Sequence, residues 1–551
     1  MKANKHLTKI TVLTLTTACI LFGGLMLLLN NSNKTNHDQN MNAYLGTNSQ
    51  GSPGYGVVSD NIVATEIGMT ILEQGGSAVD AAIAVSYALG VVSPFASGIG
   101  GGGIMLVYPA DGTDPIVYDY MGSSPANTSG SIAVPGFVKG MATVHQDFGK
   151  LSMDDLLDPS IKLAKEGAVV TSLLVRMITN SQAKIDPAVR DVFLPGGSPI
   201  PAGDQLKQPA LAETLETIKS NGTDDFYLGE IANQIAKSNS GVTLQDLSSY
   251  QVEKRIPAMG SFDGYEVFSS APSSGGVTLI QMLALSEKLE LSKYPVDSPE
   301  YISLLSEITQ VSYNDRYQNV LDPNFYNVDS TELTSADHIS QLAGKITPIV
   351  NLTQTITVDS LAESNGEENT THFVICDQNG MMVSVTNTLT YWFGTGKNVD
   401  GFFMNAHMEN FSTNASSLNK AEAGKRPRSY ISPTILAKHG KPVMGIGSPG
   451  GNRIPLMITE VLDRFFKYDQ SLQEAIEAPR FFNDQNSVYV EDNYLTTATE
   501  EQLREMGYSV IRYDNPLFYG GVNSLYVDYL NNKILGGADD RRNASWLWNR
   551  N

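Results

Sequence analysis

The sequence is poor in the residues that mark several common classes of protein. Its 551 residues include two cysteines and seven histidines, with no His-Glu-x-x-His or Cys-x-x-Cys spacing, so it carries no familiar zinc motif. Basic residues are also few, 37 against 58 acidic ones, and the formal net charge is −21. Because a nucleic-acid-binding protein presents a basic face to phosphates, this charge argues against that class. The sequence indicates neither a metal ion nor another cofactor.

The lack of a disulfide pair and of internal repeats limits the possible fold classes. Cys19 lies in an apolar amino-terminal segment and Cys376 in a predicted strand, so no structural disulfide between them is expected. No internal repeat is found. Hydrophobic residues make up 41% and aromatic residues 8% of the chain, which is typical of a globular protein with a sizeable core. From periodicity alone we predict a mixed α/β body.

The amino-terminal segment is the longest apolar run. Twenty uncharged residues at 10–29 follow Lys2, Lys5 and Lys9. A run of this length spans a bilayer with its positive end inside, which would leave the body outside the cytoplasm. A cleavable signal peptide is the alternative, although its apolar core is usually ~7 to 15 residues. We therefore expect a membrane anchor or signal segment at 1–29 and a flexible spacer at 30–53.

A buried helix and a glycine run open the folded body. Ser77 to Val92 are almost wholly small or apolar, which predicts a helix buried on most sides. Gly100 to Gly103 follow, but no Lys-Ser/Thr comes after them, so a phosphate-binding loop is excluded. We expect a close approach between backbones there instead.

The remaining pattern predicts alternating helices and strands. Strands are expected at 104–108, 116–120, 264–268, 401–404, 433–437, 442–446, 488–491, 508–513, 522–528 and 533–536. Helices are expected at 156–168, 209–221, 278–291, 455–467 and 471–477.

The clearest local signal is a hairpin. Segments 371–376 and 381–389 are rich in Val, Ile, Thr and Phe and flank Asp377-Gln378-Asn379-Gly380, a frequent hairpin turn. A three-residue loop pairs Asp377 with Met381 and therefore Thr370 with Thr388. A two- or four-residue loop would turn these hydroxyls to opposite faces. Paired threonines are ordinary cross-strand neighbours, so the pairing alone does not indicate catalysis.

The segment before the hairpin is a predicted cleavage site. Residues 350–369 are polar and loop-like and end in an acidic run, which suits a cleavage site. Cleavage between Asn369 and Thr370 would give Thr370 a free amine with a pKa of about 8, a general base beside its own hydroxyl nucleophile. We then expect a large subunit at 54–369 and a small catalytic subunit at 370–551.

Several motifs together resemble the γ-glutamyltransferase (γ-glutamyltranspeptidase) family. They are Gly75-Gly76-Ser77-Ala78-Val79-Asp80-Ala81-Ala82, Asn369-Thr370-Thr371-His372-Phe373, Gly394-Thr395-Gly396 and Gly447-Ser448-Pro449-Gly450-Gly451-Asn452-Arg453. The resemblance implies an N-terminal-nucleophile αββα four-layer sandwich formed by two chains from one self-cleaved precursor. It also implies a γ-glutamyl substrate with water or an amine as acceptor. Within the family the chain is most similar to the branch that acts on poly-γ-glutamate capsule.

The resemblance assigns catalytic roles to four residues. Thr370 is the nucleophile and, through its amine, the base, and Thr388 orients it. Gly450 and Gly451 match the oxyanion hole of the family, and consecutive backbone N–H groups after a strand suit that role.

The residues expected to bind the carboxylate and amine of the substrate, together called the substrate clamp, depart from the family pattern. Family members usually carry an Arg after the aromatic residue that matches Tyr120, where this chain has Met121, and a methionine cannot form a charge-assisted bond. The amine-binding Asn, Gln and Asp of the family match Thr390, His407 and Asn410, and its serine pair matches Ser429 and Tyr430.

The candidates to bind the substrate carboxylate are Lys425-Arg426-Pro427-Arg428 and Arg541-Arg542. We favour Arg428 and Arg542, the latter because it matches a substrate-contacting Arg of the capsule branch. The alternative for the first cluster is a solvated basic patch.

We expect a γ-glutamyl hydrolase or transpeptidase held at the cell surface. Glutathione hydrolysis is an alternative to the polymer as substrate. A processed surface binding protein with impaired catalysis is the alternative outside enzymology, since Met121 weakens the expected clamp.

Overall fold

Two stacked β-sheets form the centre of the computed structural model, which describes residues 52–346, 368–492 and 494–549. The first sheet has seven strands, in spatial order Ser545–Asn549, Tyr55–Ser59, Glu368–Cys376, Met382–Tyr391, Gly102–Tyr108, Ile116–Asp119 and Glu253–Arg255. The second sheet has six, in the order Lys533–Gly537, Asn523–Asp528, Lys441–Gly447, Thr434–Lys438, Tyr265–Ser269 and Ala258–Phe262.

Shorter strands and helices surround these sheets. The small sheets pair Ala168–Val169 with Gln205–Leu206, Asn398–Val399 with Phe402–Phe403, and Ser487–Val490 with both Phe481–Asp484 and Ser509–Arg512. The α-helices are Ile62–Glu73, Ala78–Val92, Phe137–Phe148, Met153–Glu166, Ser172–Ser181, Arg190–Phe193, Pro209–Asn221, Asp225–Leu228, Glu230–Lys237, Leu244–Ser249, Gly276–Lys288, Pro299–Asn319, Ser330–Leu333, Ala336–Ala343, Ile454–Lys467, Leu472–Glu477 and Thr497–Glu505.

Alternating side chains of the first sheet divide the core into two. Phe373 and Ile375 pack with the helix Ala78–Val92 and its neighbours on one face, whereas Val374 packs against the second sheet on the other. Helices such as Ile454–Lys467 cover the far side of the second sheet. The order is therefore helices, sheet, sheet, helices, which confirms the predicted four-layer αββα sandwich.

The central hairpin has the predicted register. The Asp377 N–H donates to the Met381 carbonyl over 3.0 Å, and Gly380 takes the left-handed φ of +91° that closes a three-residue loop. Thr370 and Thr388 are consequently cross-strand partners. The register shifts after Thr388, which re-aims the side chains that follow.

The glycine run brings backbones close together, as predicted. A Cβ on Gly101 would lie 2.5 Å from the Thr388 carbonyl oxygen, so only glycine fits beside the hairpin there. The preceding helix Ala78–Val92 is capped by Ser77 and nearly all of it is buried. Together they hold the Thr388 backbone against the helical layer.

The predicted strands and helices are present with boundaries shifted by one to a few residues. Sequence patterns missed the pairing of Tyr55–Ser59 with Ser545–Asn549, because both strands are short and almost 500 residues separate them. The predicted anchor at 1–29 and most of the predicted linker lie outside the described residues. Within those residues, no helix is long and apolar enough to cross a bilayer.

Candidate active site

A pocket lies where the central hairpin opens, at the start of the strand that carries Thr370. It encloses about 420 Å³ including its mouth. Its lining residues come from the hairpin, a loop and a helix start: Thr370, Thr388, Thr390, Asn410, Arg428, Ser429, Tyr430, Ile431, Gly451 and Ile454. Eight of the predicted site residues therefore meet in one place.

Thr370 and Thr388 face each other in this pocket. The Thr370 hydroxyl donates to Thr388 Oγ1 over 3.4 Å, and each residue is 4% exposed. Thr388 Oγ1 also accepts the Thr390 N–H at 2.8 Å. The backbone thus holds the Thr388 hydroxyl in place, and that hydroxyl in turn orients Thr370.

Thr390 and Asn410 offer hydrogen-bond acceptors to the pocket. Thr390 has a left-handed φ of +77°, which follows from the register shift in its strand. Neither Thr390 Oγ1 nor Asn410 Oδ1 has a hydrogen-bond partner within the described residues, although both atoms are buried. Since unpaired buried oxygens are costly, this pair is suited to accept hydrogen bonds from an amine.

His407 does not line the pocket, which corrects its predicted contact with substrate. Its ring is fully buried, accepts the Gly122 N–H at Nδ1 over 3.0 Å, and contacts the Thr388 carbonyl through Nε2 over 3.1 Å. An accepting Nδ1 leaves the proton on Nε2, so the ring is neutral and donates to Thr388. Burial lowers the pKa of His407 to about 4, which agrees with this. His407 holds the backbone of Thr388.

Gly450 and Gly451 lead into the helix Ile454–Lys467. Their φ values are +136° and +60°, a region that favours glycine. Gly451 is part of the lining, whereas Gly450 adjoins Gly520. The turn and helix start present a positive dipole end toward the pocket, which suits the predicted oxyanion-hole role.

The basic run at 425–428 is not a solvated patch, because Lys425, Arg426 and Arg428 are at most 5% exposed. The Lys425 ammonium pairs with Glu422 at 2.9 Å, and Arg426 Nε lies 3.4 Å from Asp119 Oδ1. These two cations are thus engaged within the fold, and Arg428 is the member that reaches the pocket.

Arg428 is positioned by Tyr317. Arg428 Nη1 donates to the Tyr317 carbonyl at 2.8 Å, and the guanidinium lies 4.9 Å from the centre of the Tyr317 ring. The Tyr317 hydroxyl is in turn 3.1 Å from that of Tyr430. The buried Arg316 stacks on the Tyr430 ring at 3.7 Å.

Two other predicted features lie away from the pocket. Met121 is 2% exposed and packs in the core between the sheets, so no substrate carboxylate reaches it. Arg542 is outside the lining. Its Nε donates to the Gly520 carbonyl at 3.1 Å, which places Arg542 behind the turn at Gly450. Arg428 is therefore the favoured arginine that contacts the pocket.

Sequence inspection missed a polar network behind Thr370. Asp60 accepts the His372 N–H at 3.1 Å and the Asn523 side-chain amide at 2.6 Å, and that amide also donates to the His372 carbonyl. Burial raises the pKa of Asp60 to about 7 and lowers that of His372 to about 3. No local motif could reveal this network, because its members lie far apart in the chain.

The chain is similar in sequence and structure to several known proteins. The family model described as Gamma-glutamyltranspeptidase matches residues 64–547. The capsule biosynthesis protein CapD proenzyme of Bacillus anthracis is 41% identical, with 91% of this chain and 92% of that protein covered. The glutathione hydrolase proenzyme of Bacillus subtilis (strain 168) is 34% identical, with coverage of 89% and 90%. The cephalosporin acylase of Bacillus halodurans superposes with a TM-score of 0.80 at 23% identity, over 91% of this chain and 97% of that one, which establishes a shared fold.

Proposed function

The chain belongs to the gamma-glutamyltranspeptidase family, and from that premise we propose that Thr370 is its nucleophile, freed by self-cleavage after Asn369. The observation that carries this proposal is the pairing of the Thr370 and Thr388 hydroxyls at 3.4 Å in the wall of the pocket. Cleavage there divides the chain into a large subunit ending at residue 369 and a small one beginning at residue 370.

The reaction takes place in two steps. The free α-amine of Thr370 accepts the hydroxyl proton while Oγ1 attacks the γ-carbonyl carbon of the substrate. The tetrahedral oxyanion is stabilised by the N–H groups at Gly450 and Gly451. It collapses to an ester as the C–N bond breaks and the proton passes to the leaving amine. Water or a second amine then attacks the ester and releases Thr370.

The pocket suits a glutamyl group with a free α-carboxylate and amine. Arg428 is the formally charged member of the described lining, and it can hold a carboxylate through charge-assisted hydrogen bonds. The oxygens of Thr390 and Asn410 accept from the α-amine. This division of roles replaces the Arg that family members carry where Met121 is buried.

Poly-γ-glutamate is the substrate we propose, since the departures at Thr390, Asn410 and Ser429-Tyr430 resemble the capsule branch and a CapD proenzyme is 41% identical. Incubation with the polymer should shorten it, and incubation with glutathione should release little cysteinylglycine. Release of cysteinylglycine without any shortening would favour the glutathione hydrolase alternative. Full processing without turnover of either would favour the binding-protein alternative.

The nucleophile is tested by comparing two adjacent threonines. Thr370→Ala should leave one uncut chain with no turnover. The control is Thr371→Ala, because Thr371 is equally buried but its hydroxyl approaches the Asn387 carbonyl at 3.5 Å. On a denaturing gel the control should still give two bands, the smaller starting at Thr370 by amino-terminal sequencing. If the smaller band began at any other residue, Thr370 would not be the freed amino terminus and the proposed nucleophile would be wrong.

We also infer that the apolar run at 10–29 holds the enzyme at the outer surface of the membrane. The length of the run and the lysines before it support this location. Cell fractionation should place the intact chain in the membrane fraction, and deletion of residues 1–29 should abolish that association.

A further inference from the structure

One fully buried arginine adjoins the residues of the catalytic pocket. Arg316 is 0% exposed and is not itself part of the pocket lining. None of its three guanidinium nitrogens has a hydrogen-bond partner among the residues that the structure describes. Because a buried charge without partners is costly, the contact that Arg316 does make with an aromatic ring has to offset part of that cost.

That ring belongs to a residue of the pocket lining. The Arg316 guanidinium lies 3.7 Å from the centre of the Tyr430 ring, and Tyr430 lines the pocket. A guanidinium at this distance over an aromatic face is attracted by the quadrupole of the ring, and the attraction is stronger where water is excluded. The stack therefore fixes the orientation of the Tyr430 side chain.

The residue after Arg316 supports the same part of the pocket. The Tyr317 hydroxyl lies 3.1 Å from the Tyr430 hydroxyl. The Tyr317 carbonyl accepts a hydrogen bond from Arg428 Nη1 at 2.8 Å. Arg316 and Tyr317 are consecutive residues of the helix Pro299–Asn319. One turn of this helix therefore holds both Tyr430 and Arg428, which line the pocket.

From this geometry we propose that Arg316 is a positioning residue for substrate binding and acts through the Tyr430 ring. The inference rests on the proposed function and adds a determinant of affinity that never contacts the substrate. The guanidinium holds the ring, and the ring holds the shape of the pocket in which Arg428 meets the carboxylate. The effect is on binding rather than on the bond-making steps at Thr370, so it should appear in KM and not in kcat.

The test compares Arg316→Met and Arg316→Lys in the hydrolysis of γ-glutamyl-p-nitroanilide by the full, self-cleaved chain. Arg316→Met removes the cation and should raise KM about 10-fold, the factor that a buried cation–π contact contributes, with kcat within about twofold. Arg316→Lys keeps a cation without the planar group and should raise KM only about threefold. Two bands on a denaturing gel and an unchanged unfolding profile verify folding. The lysine variant measures the same effect if the methionine variant is not processed.

A double-mutant cycle with Tyr430 separates positioning from a general structural role. In a Tyr430→Leu background the guanidinium has no ring to stack on, so Arg316→Met should raise KM no further. In a Tyr430→Phe background, which keeps the ring, the same change should again raise KM about 10-fold. The control is Lys438→Met, because the Lys438 ammonium lies 4.6 Å from the centre of the Tyr265 ring and neither residue lines the pocket. This variant should keep the KM of the wild type.

An unchanged KM in both Arg316 variants overturns the inference. So does an equal increase in the Tyr430→Leu background, because Arg316 would then act without the ring. Calorimetric titration with glutamate, which carries the same α-carboxylate and amine, measures affinity without turnover. A wild type that binds glutamate but hydrolyses no γ-glutamyl substrate would contradict the proposed function alone, and the glutamate affinities of the variants would still decide the role of Arg316. A wild type that does neither contradicts both.

Discussion

Replacement of His407 by Leu is expected to destabilise the fold around Thr388. It should also remove part of the loss in free energy of unfolding that the protein shows at acid pH. The imidazole bridges the Gly122 N–H and the Thr388 carbonyl at 3.0 and 3.1 Å. Leucine fills similar space but pairs with neither group. Two buried backbone groups would then each lose the hydrogen bond to the imidazole at about 1–3 kcal/mol, a loss of about 2–6 kcal/mol in the free energy of unfolding at neutral pH.

The acid dependence follows from the low pKa of His407. Burial lowers it from 6.5 to about 4. Between these values the unfolded chain binds a proton that the folded chain does not, so the free energy of unfolding rises with pH across this window. The wild type therefore loses about 3 kcal/mol from this residue as the pH falls from 6.5 to 4. A leucine variant does not lose it.

The assay is urea unfolding of uncut protein between pH 4 and pH 7.5, with Thr370→Ala in every variant to prevent cleavage. His407→Gln is the matched control, because an uncharged amide can accept and donate in the same place. It should stay closer to the wild type in stability than the leucine variant and show the same weaker acid dependence. Equal stability of the leucine variant at neutral pH, or an acid slope as steep as that of the wild type, would refute the bridging role.

Three further changes test the surroundings of the site. Asp60→Asn should make stability rise more steeply with pH between about 4 and about 7 than it does in the wild type. Burial raises the pKa of Asp60 to about 7, so in this window the folded chain holds a proton that the unfolded chain lacks, and this contribution opposes that of His407. Thermal unfolding across this range measures the difference, and parallel curves would contradict it. Gly101→Ala should impair both processing and turnover, since its Cβ would lie 2.5 Å from the Thr388 carbonyl oxygen. The control is Gly130→Ala, because a Cβ there would lie 3.9 Å from its nearest neighbour. On a denaturing gel the control should be processed as the wild type is. Arg428→Gln should raise KM for the γ-glutamyl substrate about 10- to 100-fold by loss of a charge-assisted bond, with little change in kcat. Steady-state kinetics measure both constants, and an unchanged KM would show that Arg428 does not bind the substrate carboxylate.

Features set by neighbouring residues could be predicted well. The register of the hairpin depends on the length of one turn and the alternation of two strands, so the sequence predicts the pairing of Thr370 with Thr388 correctly. The helix Ala78–Val92 and the close approach at Gly101 likewise follow from local composition. The four-layer architecture needed more than periodicity, and family resemblance supplied it.

Features that depend on distant parts of the chain were harder to predict. The choice between Arg428 and Arg542 at the pocket, the burial of Lys425 and Arg426, and the indirect role of His407 all depend on which elements pack beside them. The hydrogen bonds of Asp60 to His372 and Asn523 connect residues 312 and 463 positions apart, and no sequence window contains them.

The sequence by itself determined where Thr370 lies in the central hairpin, because a turn and two alternating strands are local properties of one short stretch. Tertiary structure alone decided which charged and polar groups surround that threonine. A side chain contacts the pocket or the core according to how whole layers stack, and stacking is a property of the complete chain.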